Sequence, residues 1–75
     1  RTSDGHEVDI LVEHEGRLVP IEVKTTATPH PAMAGDVRLF RELFGAKAAP
    51  GYVVHTGTES LPLGGGVTAL PFGAL

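Results

Sequence analysis

Two runs of alternating apolar and polar residues, "HEVDILV" at 6–12 and "LVPIEVK" at 18–24, constrain the fold of this chain most strongly. Successive side chains of a strand point to opposite faces, so each run predicts a half-buried β-strand. The polar "EHEGR" between them contains Gly16, which can adopt positive φ, and we therefore predict a β-hairpin. Pro20 has no N–H to donate, so we expect it at an edge or an irregularity of the sheet.

The pattern then changes from strand to helix. "TTATPHP" at 25–31 holds the chain extended, and from about Ala32 apolar residues recur at helical spacing. Gly45 is a natural helix end. The predicted apolar stripe, which we expect to lie in the core, consists of Met33, Val37, Phe40 and Phe44, widened by Leu39 and Leu43.

The remainder predicts two further strands separated by a loop. "GYVVHTG" at 51–57 is a β-branched run between glycines, and "VTALPF" at 67–72 is a second short run. "TESLPLGGG" at 58–66 contains proline and glycines that favour a loop. The predicted order is β-β-α-β-β, an α/β fold with a mixed sheet, in which the strand–helix–strand portion forms a parallel crossover.

Composition limits the classes of protein that this chain can represent. Its 75 residues suffice for a single domain, at 1–75, with a thin stability margin. It has no cysteine, no membrane-length apolar run and no signal peptide, which predicts a cytoplasmic protein. A net charge of −3 offers no overall attraction for nucleic acid. Because the chain begins with Arg1 and enters a strand-like run almost at once, we expect it to be part of a longer protein.

Two acids in the predicted hairpin are candidates for a metal site. If the hairpin closes about Glu15–Gly16, residue i faces residue 31 − i, which places Asp9 opposite Glu22 and Glu7 opposite Lys24. Facing carboxylates repel, and a divalent cation such as Mg²⁺ would offset the repulsion. Lys24 shares the face of Glu22, where its ammonium group could orient a water or stabilise a phosphate. The alternative is an ordinary solvated face, with Glu7 and Lys24 as a surface pair.

An acid in one strand followed by E-x-K in its partner strand, here Asp9 and Glu22-Val23-Lys24, resembles the PD-(D/E)xK nuclease-like superfamily. The longer string "GHEVDILVEHEGRLVPIEVKTTATP", with "HTG" and "ALPFGAL", is similar to a C-terminal domain of bacterial and archaeal AAA-type ATPases. The resemblance implies a restriction-endonuclease-like core with Asp9 and Glu22 as metal ligands and Lys24 as the catalytic lysine. It also implies an ATPase module preceding this domain and a further acid upstream of Arg1.

Two functional hypotheses follow from the acids and the resemblance. The first is a Mg²⁺- or Mn²⁺-dependent nuclease acting on DNA, with Asp9 and Glu22 holding the cation and Lys24 positioning the attacking water. The second is a catalytically inactive assembly or recognition module of the ATPase, and self-association is a further possibility. This chain has no P-loop string, so we expect no ATP binding by it.

Other polar residues carry weaker signals. The four histidines follow no zinc-ligand spacing, and His55 at a strand end is best interpreted as structural. Thr25 and Thr26 follow Lys24, where we expect them to end the strand. Arg38 and Arg41 alternate with acids on the helix, which is typical of a solvated face.

Overall fold

The computed structural model describes residues 8–74 and contains a five-stranded sheet with one α-helix. The strands are β1 (Ile10–His14), β2 (Arg17–Val23), β3 (Gly51–His55), β4 (Leu61–Gly64) and β5 (Val67–Pro71). The helix α1 (Gly35–Phe44) lies between β2 and β3 in the chain, and short 3₁₀ turns occupy Pro31–Ala34, Gly45–Lys47 and Phe72–Ala74. No helix in the described part of the chain is long and apolar enough to cross a membrane.

The sheet is mixed, with parallel strands at its centre. The strand order is β1-β2-β3-β5-β4, in which β2, β3 and β5 are parallel neighbours. The edge strands β1 and β4 are antiparallel to their neighbours β2 and β5. The α/β class and the parallel pairing of the strands that flank the helix are therefore confirmed.

The hairpin of β1 and β2 has the predicted register. Ile10 pairs with Ile21 and Val12 with Val19, so the paired numbers sum to 31. Glu15 and Gly16 form the turn, with φ of 53° and 78°. Positive φ at both central residues is characteristic of the tight turns that match the twist of a two-stranded ribbon.

Replacing Glu15 with asparagine is expected to stabilise the domain. A left-handed backbone is unfavourable for glutamate, whereas asparagine tolerates it and Asn-Gly is the preferred pair in such a turn. We expect a gain of about 0.5 kcal/mol in the free energy of unfolding, measured in urea. Glu13→Asn, on the adjacent strand, is the control and should give no gain, because asparagine is unfavourable within a strand.

Pro20 lies within β2, which has neighbours on both sides, and not at an edge of the sheet. The backbone N–H of Lys24 donates to Val54 O at 2.8 Å, so N–H groups two and four residues earlier point toward β3 as well. At Pro20 this side is irregular, between an isolated bridge at Leu18–Ala48 and the first parallel pair at Ile21–Tyr52. The missing donor therefore falls at an irregularity, as the sequence predicts.

The prediction of a loop over residues 58–66 was wrong, because Leu61–Gly64 forms β4. Leu63 is buried and Leu61 packs against the core, so apolar alternation continues through this stretch. Pro62 is exposed in a strand at the edge of the sheet, where proline needs no partner on its outer side. The loop prediction gave proline and glycine more weight than this alternation.

The core lies between one face of the sheet and the segment that contains α1. Its buried members are Ala34, Val37, Val53, Leu63, Val67 and Ala69, with Met33 packed beside them. The prediction that the whole helical stripe is core was wrong at its C-terminal end, where Leu43 is 73% exposed and Phe44 44% exposed. Phe44 instead stacks on Phe40, with ring centroids 4.2 Å apart.

Candidate functional site

Glu22 of β2 lies in the interior of the domain. It pairs in register with Val53, a core residue, so its side chain projects from the face of the sheet that α1 covers. Only 2% of Glu22 is exposed. An ionised carboxylate is costly to bury without partners, so the surroundings of this side chain determine its role.

The carboxylate of Glu22 has one charged partner and no hydrogen bond of regular geometry. Its Oε2 lies 3.2 Å from Nζ of Lys24, but neither Oε1 nor Oε2 accepts a hydrogen bond from the described residues. The Lys24 side chain is 40% exposed, so its ammonium group connects the buried carboxylate with solvent. Buried polar atoms normally have partners, and the ion pair with Lys24 is the interaction that the described residues give this carboxylate.

Asp9 lies immediately before β1 and is exposed. Its Oδ2 accepts a hydrogen bond of 2.8 Å from the backbone N–H of Val23. Extending the hairpin register by one residue places Asp9 opposite Glu22. One oxygen of Asp9 thus accepts the last hydrogen bond between the two strands of the hairpin. The carboxylate retains further acceptor sites for another ligand.

Burial of the carboxylate is the main reason that the pKa of Glu22 is raised above its ordinary value. Lys24 opposes this rise in the pKa, because its positively charged ammonium group lies beside the carboxylate. Negative charge on Asp36 and on Asp9 raises the pKa of Glu22 further. A buried acid with a perturbed pKa, surrounded by other charges, is typical of functional sites.

Asp36 is a residue that the sequence did not assign to this site. It belongs to the first turn of α1, and its charge acts on Glu22 across the interior of the domain. The spacing of residues in the sequence shows Asp36 only as one of several polar residues on the predicted helix. Its relation to Glu22 arises from the packing of α1 on the sheet, which no local pattern encodes.

Asp9 and Glu22 are the two carboxylates that a candidate cation site in this part of the domain would use. Within residues 8–74, no group of three or more His, Cys, Asp or Glu side chains is arranged to hold a metal ion. Glu22 offers two oxygens without hydrogen bonds, and Asp9 offers those acceptor sites that Val23 does not use. Mg²⁺ is commonly bound by one or two carboxylates, with waters and phosphate oxygens completing its shell. The predicted partner of Lys24, Glu7, lies outside the described residues.

His55 is structural, as predicted. It is completely buried; the Gly57 N–H donates to Nδ1 at 3.0 Å, and Nε2 lies 2.7 Å from Glu59 O. Since Nδ1 accepts, Nε2 carries the hydrogen and donates it to the Glu59 carbonyl. Both ring nitrogens are used within the loop that follows β3.

Thr25 and Thr26 join the end of β2 to the loop after β3. Thr56 N donates to the Thr26 carbonyl at 3.0 Å, and Thr56 Oγ1 donates to the Thr25 carbonyl at 3.3 Å. The backbone of these residues therefore holds the segment after Lys24 against the neighbouring strand.

Comparison with protein families gives a match over the whole chain. The family model described as "Domain of unknown function (DUF4143)" matches residues 1–75. No curated protein and no solved structure matches the chain.

Proposed function

The chain belongs to the DUF4143 family, and from its candidate site we propose that it is a Mg²⁺- or Mn²⁺-dependent nuclease-like domain that hydrolyses phosphodiesters in DNA. The observation that carries this proposal is the Glu22 carboxylate, which is buried, has no regular hydrogen bond and lies beside Lys24. The resemblance of Asp9, Glu22 and Lys24 to the PD-(D/E)xK pattern supports it. A restriction-endonuclease-like core is part of the same proposal.

The three residues divide two roles in this reaction between them. A bound divalent cation would polarise the phosphodiester and lower the pKa of a bound water. Glu22 and Asp9 supply carboxylate oxygens for the cation. Lys24, partly exposed and held by Glu22, donates a hydrogen bond to the attacking water or to a phosphate oxygen, where charge increases in the transition state.

Calorimetric titration of Mn²⁺ into the protein tests the site. We expect saturable binding at one site, and its loss in both Asp9→Asn and Glu22→Gln, because each variant removes a charged oxygen ligand. Glu13→Gln is the matched control: Glu13 is an exposed acid on β1, and its removal should leave binding unchanged. Equal binding by all four proteins would show only nonspecific association with surface acids.

Cleavage is tested separately on supercoiled plasmid DNA with Mn²⁺. We expect nicking by the wild-type protein and none by Glu22→Gln or Lys24→Met. Cleavage that persists in Glu22→Gln would contradict the proposed mechanism, even if Mn²⁺ binding is lost.

The second candidate is a non-catalytic assembly or recognition module of an AAA-type ATPase. It is favoured by the ion pair itself, since Lys24 already offsets part of the charge of Glu22 without any cation. Under this hypothesis Mn²⁺ does not bind, and Glu22→Gln preserves association with the ATPase module. The calorimetric titration therefore separates the two candidates.

A further inference from the structure

A surface pocket of about 530 Å³ lies between α1 and the turn that joins β4 to β5. It is lined by Gly35, Arg38, Leu39, Arg41, Glu42 and Gly65. Strands β3 and β5 separate β4 from β2, which carries Glu22. The pocket is thus distinct from the candidate cation site.

The two arginines of this pocket do not form the freely solvated face that the sequence predicted. Arg38 donates from Nη1 to Leu63 O at 2.9 Å and from Nη2 to Pro31 O at 3.1 Å. Arg41 donates from Nε to Ala49 O at 3.0 Å and from Nη1 to Gly65 O. Both side chains are half-buried, and their planes are fixed by backbone carbonyls.

No carboxylate neutralises these guanidinium groups among the described residues, where the ion pairs are His14–Glu15 and Lys24–Glu22. A carbonyl accepts a hydrogen bond but brings no net charge. Two positively charged side chains, Arg38 and Arg41, thus line the same pocket. Glu42, which is exposed, is the acid that lines it.

The backbone of the glycine turn, Gly64–Gly66, lies in close contact with both arginines. Gly64, Gly65 and Gly66 have φ of 90°, 63° and 79°, a conformation that other residues rarely adopt. A Cβ at Gly65 would lie 2.5 Å from Cδ of Arg38, and one at Gly66 would overlap Nη1 of Arg41. Glycine permits this close approach, so the guanidinium groups are held in place before any ligand arrives.

We propose that the pocket of Arg38 and Arg41 binds an oxyanion of the phosphate class. Each guanidinium uses two of its five N–H donors on carbonyls, which leaves donors for phosphate oxygens. Arginine is suited to this role because its planar fork matches phosphate geometry and is always charged. The phosphate is either free in solution or part of a nucleic-acid strand.

The test is titration of inorganic phosphate at constant ionic strength, followed by the amide ¹H–¹⁵N signals of Gly64–Gly66. We expect saturable shifts in these signals. Glu42→Gln removes the negative charge from the pocket and should tighten phosphate binding by about fivefold. Glu59→Gln, an exposed acid outside the pocket, should leave the affinity unchanged.

Arg38→Gln should abolish the shifts, with retention of fold checked by circular dichroism. Because Arg38 also holds β4 through the Leu63 carbonyl, this variant can unfold. The comparison of Glu42→Gln with Glu59→Gln keeps the test decisive. A short DNA oligonucleotide in a second titration identifies the source of the phosphate. Tighter binding by the oligonucleotide, in competition with phosphate, supports the nucleic-acid source, and binding of phosphate alone supports the free anion.

The absence of shifts with either ligand would overturn the proposal, as would identical affinities in wild type and Glu42→Gln. Failure of this site leaves the cation site untested, because Mn²⁺ binding is measured at Asp9 and Glu22. The experiments therefore test the two proposals independently.

Discussion

Gly57→Ala is expected to lower the free energy of unfolding by about 3 kcal/mol, a large part of the margin of a domain this small. A Cβ at Gly57 would overlap the Ala27 carbonyl oxygen and lie 2.9 Å from the carbonyl carbon of Ala27 and 3.1 Å from Nδ1 of His55. The overlap is with backbone, so no rotamer change relieves it. The loop after β3 must move away from the segment after β2.

The separation of these two segments has further consequences. Thr56 N–H donates to the Thr26 carbonyl, and Gly57 N–H donates to the buried His55 ring. Movement of the loop weakens both bonds and leaves a buried imidazole nitrogen without its partner, which adds to the cost. We expect urea unfolding to show a lower midpoint with an unchanged m-value.

Gly35→Ala is the matched control for this substitution. Gly35 begins α1 with φ of −55° and ψ of −48°, and a Cβ there meets no atom within 4 Å. Alanine at such a position should stabilise the domain by about 0.5 kcal/mol, through its effect on the unfolded chain. A Gly57→Ala protein as stable as Gly35→Ala would show that the two segments are not packed as the structure describes.

The sequence predicted those parts of the fold that local patterns determine. The pairing of Ile10 with Ile21 follows from alternation and a two-residue turn, and the end of α1 at Gly45 follows from glycine's tolerance of positive φ. The strand Leu61–Gly64 was missed because its stability comes from pairing with β5 and from burial of Leu63. These are tertiary effects, which override the local preferences of proline and glycine.

The sequence predicted which residues lie near one another at the end of the hairpin, but not how deeply each of them is buried. Spacing placed Asp9, Glu22 and Lys24 together, but it did not show that Glu22 is buried while Asp9 is exposed. That difference depends on α1 covering one end of the sheet face. The packing of α1 on the sheet also brings the charge of Asp36 near Glu22. The same packing lets the helix arginines donate hydrogen bonds to carbonyls that are distant in the sequence.

Lys24→Met is expected to destabilise the domain by about 2 kcal/mol at pH 7. Removing one partner of a completely buried ion pair costs about 3–5 kcal/mol, since the other charge is left without compensation. Lys24 is 40% exposed, so water reaches the vacated position and the cost is smaller. Lys47→Met, at an exposed lysine, is the control and should stay within about 0.5 kcal/mol of wild type.

The pH dependence distinguishes lost charge from lost packing. Burial raises the pKa of Glu22 above its ordinary value of 4.5, so the folded protein holds this proton more tightly than the unfolded chain does. The contribution of Glu22 to the free energy of unfolding is therefore fully present below pH 4.5, and it is lost as the pH rises through the pKa of Glu22 in the folded protein. In Lys24→Met no ammonium group opposes the rise in the pKa of Glu22, so this variant should lose more stability than the wild type over the same pH range. A loss that is independent of pH would indicate packing alone.

The double variant Glu22→Gln/Lys24→Met completes the test. Glutamine removes the charge that Lys24 compensates, so we expect the double variant to recover most of the stability at pH 7, and Glu22→Gln alone to be as stable as wild type or more stable. The same Glu22→Gln change is expected to abolish Mn²⁺ binding. A functional site can contain a carboxylate whose charge lowers the stability of the fold, because the same charge is required for binding a cation. A purely structural ion pair would not be expected to show this combination.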